Sequence, residues 1–111
     1  MTPLRVLFVR GRARARSVTA ARVFARDPRI SVRAVGIHAS AARVVAAADI
    51  AWADVVCAME RSQQRALTAR FRAELAGKAV HVLDIPDDYA AHDPERIELL
   101  RAAVPPLLGL P

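Results

Sequence analysis

Short apolar runs alternate with helix-spaced apolar faces along this chain. Leu4 to Val9, broken only by Arg5, is an apolar run with β-branched members and predicts a first strand. Ser17 then stands as a cap for a helical stretch to about Arg26, with Val18, Ala21 and Ala25 on one face. Asp27-Pro28 breaks that helix, Ile30–Ile37 alternates as a second strand, and Ser40 opens an Ala-rich helix running toward Ile50. Asp54–Met59 predicts a third strand. Leu67, Phe71 and Leu75 recur every four residues in a third helix that Gly77 ends, and Ala79–Ile85 is a fourth strand. Asp93-Pro94 supplies a capping carboxylate and a proline at the start of a last helix bearing Ile97, Leu100 and Val104. Strict alternation of strand and helix implies parallel strands joined by right-handed crossovers. No stretch reads as a linker or a repeat, so residues 1–111 are expected to form a single domain.

Composition narrows the class. The chain has 111 residues, 54% of them hydrophobic, which is enough apolar matter for one core. Its longest apolar runs are too short for a signal sequence or a membrane span, so a cytoplasmic protein that does not enter membranes is expected. A single cysteine, Cys57, rules out an intramolecular disulfide and a cysteine-based metal cluster within the chain. No metal and no cofactor are expected; His38, His81 and His92 have no ligand spacing. The net charge of +6 would point to nucleic acid, but 16 of the 17 basic residues are Arg, which reads as compositional bias as much as selection. Position is more informative than sum. Residues 1 to 33 carry nine Arg against Asp27 alone, net +8, whereas residues 79 to 111 carry six acids against Arg96 and Arg101, net −4.

An open parallel sheet binds ligands beyond the carboxyl ends of its strands. The loop leaving the first strand reads Arg10-Gly11-Arg12-Ala13-Arg14-Ala15-Arg16-Ser17 and runs straight into the amino end of a helix. Successive backbone N–H groups with a helix dipole make an anion cradle there, and guanidinium groups add directional donors for phosphate.

At these residues the sequence resembles the low-molecular-weight protein tyrosine phosphatases, and more narrowly a short bacterial branch of them. The family's loop reads Cys-x5-Arg-Ser after an apolar strand; here Leu-Phe-Val-Arg10-x5-Arg16-Ser17 keeps the spacing and replaces the cysteine. Trp52-Ala53-Asp54, Met59-Glu60-Arg61, and Ile85-Pro86-Asp87-Asp88-Tyr89 with Asp93-Pro94-Glu95 also look like that branch, in the same order. The resemblance implies a three-layer α/β sandwich around a four-stranded parallel sheet of order 2-1-3-4. It further implies phosphate binding by Gly11, Arg12, Ala13, Arg14, Ala15, Arg16 and Ser17. Arg16 matches the phosphate-clamping arginine, Ser17 the hydroxyl that supports the nucleophile, and Asp87 the general acid. Arg10 falls at the nucleophile's position, and a permanently protonated guanidinium has no lone pair with which to attack phosphorus. Ala13 replaces the asparagine usual in the family, and alanine in a left-handed turn costs about 1–2 kcal/mol.

The expectation is therefore a catalytically inactive relative whose loop 10–17 takes phosphate or a phosphorylated ligand such as phosphotyrosine, as a monomer or weak dimer. The alternative is an Arg-rich module holding nucleic acid or an acidic protein by charge. A third is an interaction module whose cradle is empty or plugged by Arg10. Plainer readings stand beside the sharp ones. Arg12 and Arg14 can simply face solvent, Cys57 reads as an inert buried hydrophobe, and Trp52 as packing at a helix-to-strand junction. Asp87 and Asp88 can be turn residues, and Asp93 a helix cap.

Overall fold

The computed structural model describes residues 3–11, 24, 27–41, 43–84 and 94–109. Four strands form one parallel sheet: β1 (Leu4–Arg10), β2 (Ile30–Gly36), β3 (Val55–Ala58) and β4 (Ala79–Val82), in the order β2-β1-β3-β4. Three helices are described: α1 (Ala47–Trp52), α2 (Arg61–Arg70) and α3 (Pro94–Leu107). Phe24 is also helical. The parallel α/β architecture and the strand order are those expected from the sequence.

β1 is central, paired with β2 in the register Leu4↔Ile30 through Arg10↔Gly36 and with β3 as Val6↔Val55 through Val9↔Ala58. Both faces of a doubly covered strand are buried, so such a strand reads as an unbroken apolar run. Val6, Leu7, Phe8 and Val9 are accordingly all removed from solvent. Val6, Phe8 and Cys57 point to a cluster with Phe24, Ile30, Met59, Leu83, Leu100 and Val104. The Phe8 and Phe24 rings stack 6.2 Å apart in this layer, which fixes the chain after the first loop onto the same side as α3. Leu7, Val9 and Val56 point the other way, to Ile50 of α1, Leu67 of α2, and Leu75. Two apolar clusters on opposite sides of one sheet make three layers.

Several boundaries differ from expectation. Ser40 does not open a helix. Its segment is drawn into the sheet margin instead: Gly36 N–H donates to Arg43 O and Val45 N–H to Gly36 O, each at 2.9 Å, so the β-branched Val44 and Val45 extend beside β2. α1 begins only at Ala47, where the Asp49 carboxylate accepts from the Ala46 N–H at 3.0 Å. α2 ends at Arg70 rather than near Gly77, because Phe71 leaves helical angles (φ −126°, ψ 41°). One more turn follows, with Leu75 N–H donating to Phe71 O at 2.9 Å, so Leu67, Phe71 and Leu75 still share a cluster. Gly77 then turns the chain at φ +76°, a conformation that favours glycine. β2, β3 and β4 are each shorter than the apolar runs that carry them; Ile85 lies outside the described residues, as does the helix expected from Ser17 except for Phe24.

Candidate functional site

In the order β2-β1-β3-β4 the chain leaves β1 toward β2 and leaves β3 toward β4. These exits diverge, and the crevice between them is where such sheets take ligands. Arg10 is the last residue of β1 and Gly11 follows it, both half-buried at this point. The crevice's other wall begins with Met59 and Glu60 at the exit of β3, tied to β1 by the Met59 N–H donating to Val9 O at 2.9 Å. Asp84 stands at the exit of β4.

The main chain at Arg10 and Gly11 has a polarity of its own. Along a regular strand successive carbonyls alternate sides. Val9 O obeys this and faces β3. Arg10 O follows it, accepting from the Ile37 N–H at 2.8 Å on the β2 side, and Gly11 O breaks it, accepting from the His38 N–H at 2.7 Å on the same side. In a trans peptide the N–H points opposite the carbonyl, and no described peptide bond is cis. The Arg10–Gly11 peptide therefore presents its positive end, the Gly11 N–H, to the crevice. That is the electrostatic beginning of an anion nest, built before any side chain contributes. A Cβ added at Gly11 would meet nothing within 4 Å, so this kink is not forced by a crowded glycine.

Neighbouring groups hold the rim. His38 Nδ1 accepts from the Ser40 N–H at 3.2 Å and lies 2.7 Å from Ser40 Oγ. Arg70 Nη1 donates to Ile37 O at 2.7 Å. Glu60 begins α2, its N–H donating to Gln63 Oε1 at 2.7 Å. Asp84 adopts φ 58°, a left-handed conformation that aspartate tolerates better than most residues, at the point where the chain turns into the segment carrying Asp87.

Of the residues singled out in the sequence, Arg10 and Gly11 are placed at the crevice. Arg12, Ala13, Arg14, Ala15, Arg16, Ser17 and Asp87 lie outside the described residues, as do Asp88, His92 and Asp93. Cys57 is fully buried in β3, and burial pushes its thiol up to about 12, so it is no substitute nucleophile. Trp52 packs against the α1/α2 cluster with the Arg33 guanidinium 4.2 Å from its ring centroid, a structural contact. Among the described residues no three His, Cys, Asp or Glu side chains converge as metal ligands, and no helix is long and apolar enough to cross a membrane. Sequence reasoning missed Arg70 and the Ile37-His38 peptide. Contacts to main-chain groups follow from register, and no side-chain motif announces them.

No protein-family model matches the sequence, and no curated protein does. Solved structures do match the fold. The YwlE arginine phosphatase from Geobacillus stearothermophilus superposes with a TM-score of 0.67 at 23% identity, covering 91% of this chain and 83% of that one. The tyrosine phosphatase Wzb from Escherichia coli K30, solved with phosphate, gives 0.70 at 13% identity, covering 92% and 94%. Wzb from Vibrio vulnificus, solved with benzylphosphonate, gives 0.70 at 17% identity over 92% and 94%. The chain thus has the low-molecular-weight tyrosine phosphatase fold, as the resemblance read in the sequence implied.

Proposed function

We propose that this chain is a phosphatase-fold protein without phosphatase chemistry, whose loop 10–17 binds phosphate or a phosphorylated ligand. The observation that carries the reading is Arg10 at the last position of β1, beside a crevice onto which the Gly11 N–H is turned. Anion binding needs such donors and a clamp, for which Arg16 is the candidate. Covalent phosphoryl transfer needs an atom with a free electron pair at the loop's start, and a guanidinium offers none. Cys57, the chain's single thiol, is buried elsewhere. Phosphate and benzylphosphonate in the two Wzb structures make inorganic phosphate and aryl phosphates the first ligands to try. In this reading Asp87 is a remnant general acid with no step to serve, and the protein is a cytoplasmic single domain, monomeric or weakly dimeric.

Calorimetric titration with phosphate and with a phosphotyrosine peptide tests binding, with Arg16→Ala as the control. Saturable binding lost in that variant supports the reading; no heat at millimolar ligand defeats it. The alternative, charge-only attachment of nucleic acid or an acidic protein, has the charge asymmetry in its favour. It predicts affinity that collapses with salt and is shared among many arginines. Inactivity is tested with p-nitrophenyl phosphate: the parent is expected to be silent and Arg10→Cys to gain turnover. Hydrolysis by the parent would overturn the mechanism, and silence in both would point to a loop spoiled by Ala13.

A further inference from the structure

Between Glu60 and Glu74 the chain places four arginines, Arg61, Arg65, Arg70 and Arg72, and no acidic residue. Three of them lie in α2, and Arg72 in the turn that follows it. At about 100° per residue Arg61, Arg65 and Thr68 fall within an arc of about 60°, on the side opposite the buried Gln63 and Leu67. All three are exposed, and so are Ser62, Ala69 and Arg72. Other described arginines are committed to carboxylates: Arg5 to Asp54, Arg29 to Asp27, Arg33 and Arg43 to Asp49. Among the described residues no carboxylate pairs with Arg61, Arg65 or Arg72.

Nothing inside the helix favours this arrangement. Positive charge at the amino end of a helix opposes its dipole, and Arg61 is the first residue of α2, whose first turn contains no acid. Like charges four residues apart on a helix repel, as Arg61 and Arg65 must. A polyanion laid along the face relieves both penalties. The face runs about 15 Å, the length of a ten-residue helix. It offers guanidinium, hydroxyl and methyl groups, and no exposed aromatic or large aliphatic side chain. A protein partner is gripped by apolar anchors, and a single nucleic-acid strand by stacking on aromatic rings. A bilayer takes an apolar helix face, and the one on α2 is spent on the core through Leu67. The backbone of a duplex needs only charge, and a guanidinium meets a phosphate with two parallel donors.

We infer that the exposed face of α2, with Arg61, Arg65 and Arg72, docks on the phosphodiester backbone of a nucleic-acid duplex without reading its bases. This is a second surface, apart from loop 10–17, so phosphate binding by the loop and duplex binding by α2 stand or fall separately. Fluorescence anisotropy with a mixed-sequence DNA duplex of about 20 base pairs, across a range of salt, tests it. Three neutralised phosphates give a slope of about −2.7 in log K against log salt, a roughly fortyfold loss from about 50 to about 200 mM. Arg61→Gln/Arg65→Gln/Arg72→Gln should flatten the slope by about that amount and weaken binding at low salt about tenfold or more. Arg61→Gln alone should flatten it by about 0.9. Equal loss of charge in Arg12→Gln/Arg14→Gln/Arg16→Gln should shift the slope by less than about 1. The α2 variant should unfold in urea at or above the parent's midpoint, since repulsion is relieved, so its weaker binding is not a loss of fold. A parent that binds no duplex at low salt, an α2 variant with the parent's slope, or an equal loss in the loop variant overturns the inference. So does tighter binding to the corresponding single strand or to phosphatidylserine vesicles, or displacement of the duplex by polyglutamate as efficiently as by unlabelled duplex of equal charge.

Discussion

Replacing Asp49 with alanine isolates the polar anchor of the α1 face. The residue is 4% exposed, and its carboxylate accepts from Arg43 Nη2 at 2.7 Å, from Arg33 Nη1 at 3.3 Å and from the Ala46 N–H at 3.0 Å. Breaking a fully buried ion pair costs about 3–5 kcal/mol, because the surviving charge is stranded in a low dielectric. That ceiling does not apply here: the Arg33 and Arg43 side chains are 36% and 57% exposed and regain water. What is lost is the α1 cap, worth about 1 kcal/mol, and two partly solvated charged bonds worth together about 1 kcal/mol. The sum is about 2 kcal/mol, equivalent to a fall in Tm of roughly 8 °C for a domain of this size. Asp49→Asn keeps an acceptor for the Ala46 N–H and should lose about half as much.

Urea unfolding followed by circular dichroism at pH 7 measures both variants, and acid titration adds a second axis. Burial works to raise the Asp49 carboxyl, but hydrogen bonds from Arg43 and Ala46, the charge of Arg43 and the bond from Arg33 outweigh it, leaving a net shift below the ordinary 3.8. A carboxyl lowered on folding stabilises above its unfolded value, and the contribution is lost as pH falls through the folded one. The gap between parent and Asp49→Ala should therefore be full at neutral pH and shrink below about pH 4. A loss under about 0.5 kcal/mol at neutral pH, or a gap that persists undiminished in acid, would refute the account.

Three further outcomes follow from other contacts. Lys78 Nζ donates to the carbonyl oxygens of Ile50, Ala51 and Ala53 at 2.5 to 3.1 Å, closing the carboxyl end of α1, so Lys78→Met should cost about 1.5–3 kcal/mol by urea unfolding. Lys78→Arg should recover only part of that, because a planar fork cannot point donors at three carbonyls as a rotating ammonium does. Cys57, with its thiol pushed up to about 12, should resist a disulfide reagent at pH 8 and react at the rate of unfolding; fast labelling of native protein would contradict its burial. Asp84→Gly should stabilise by up to about 1 kcal/mol through relief of the left-handed backbone at φ 58°, and a loss instead would show the carboxylate to be needed.

Much of the fold was legible because long-range order rested on simple patterns. The unbroken Val6-Leu7-Phe8-Val9 run marks a strand buried on both faces, and period-four spacing brought Leu67, Phe71 and Leu75 to one cluster. The misreadings were local, and each had a competing partner. Ser40 looks like a cap, yet its hydroxyl turns to His38 while Val44 and Val45 prefer extended backbone beside Gly36. The regular part of α2 stops at Arg70, where Phe71 leaves helical angles, and apolar spacing alone does not say whether the last turn is helical. At the candidate site Arg10 could be placed from strand polarity alone. The turn of Gly11 O toward His38, and the reach of Arg70 to Ile37 O, depend on register between strands distant in sequence, which one-dimensional pattern does not contain.

The bridge between Gly36 and Val44 has a consequence for how copies of this molecule meet. β2 is an outer strand, and unpaired outer strands invite other chains to polymerise onto them. Gly36 gives both its outward groups to Arg43 and Val45, and at the opposite end the Ile30 N–H is held by Asp27 O at 3.2 Å. Among the described residues alternation leaves Val32 and Ala34 facing outward between these stops, too short a ladder to seed accretion, so the sheet margin next to the crevice is blunted by the chain's own turns.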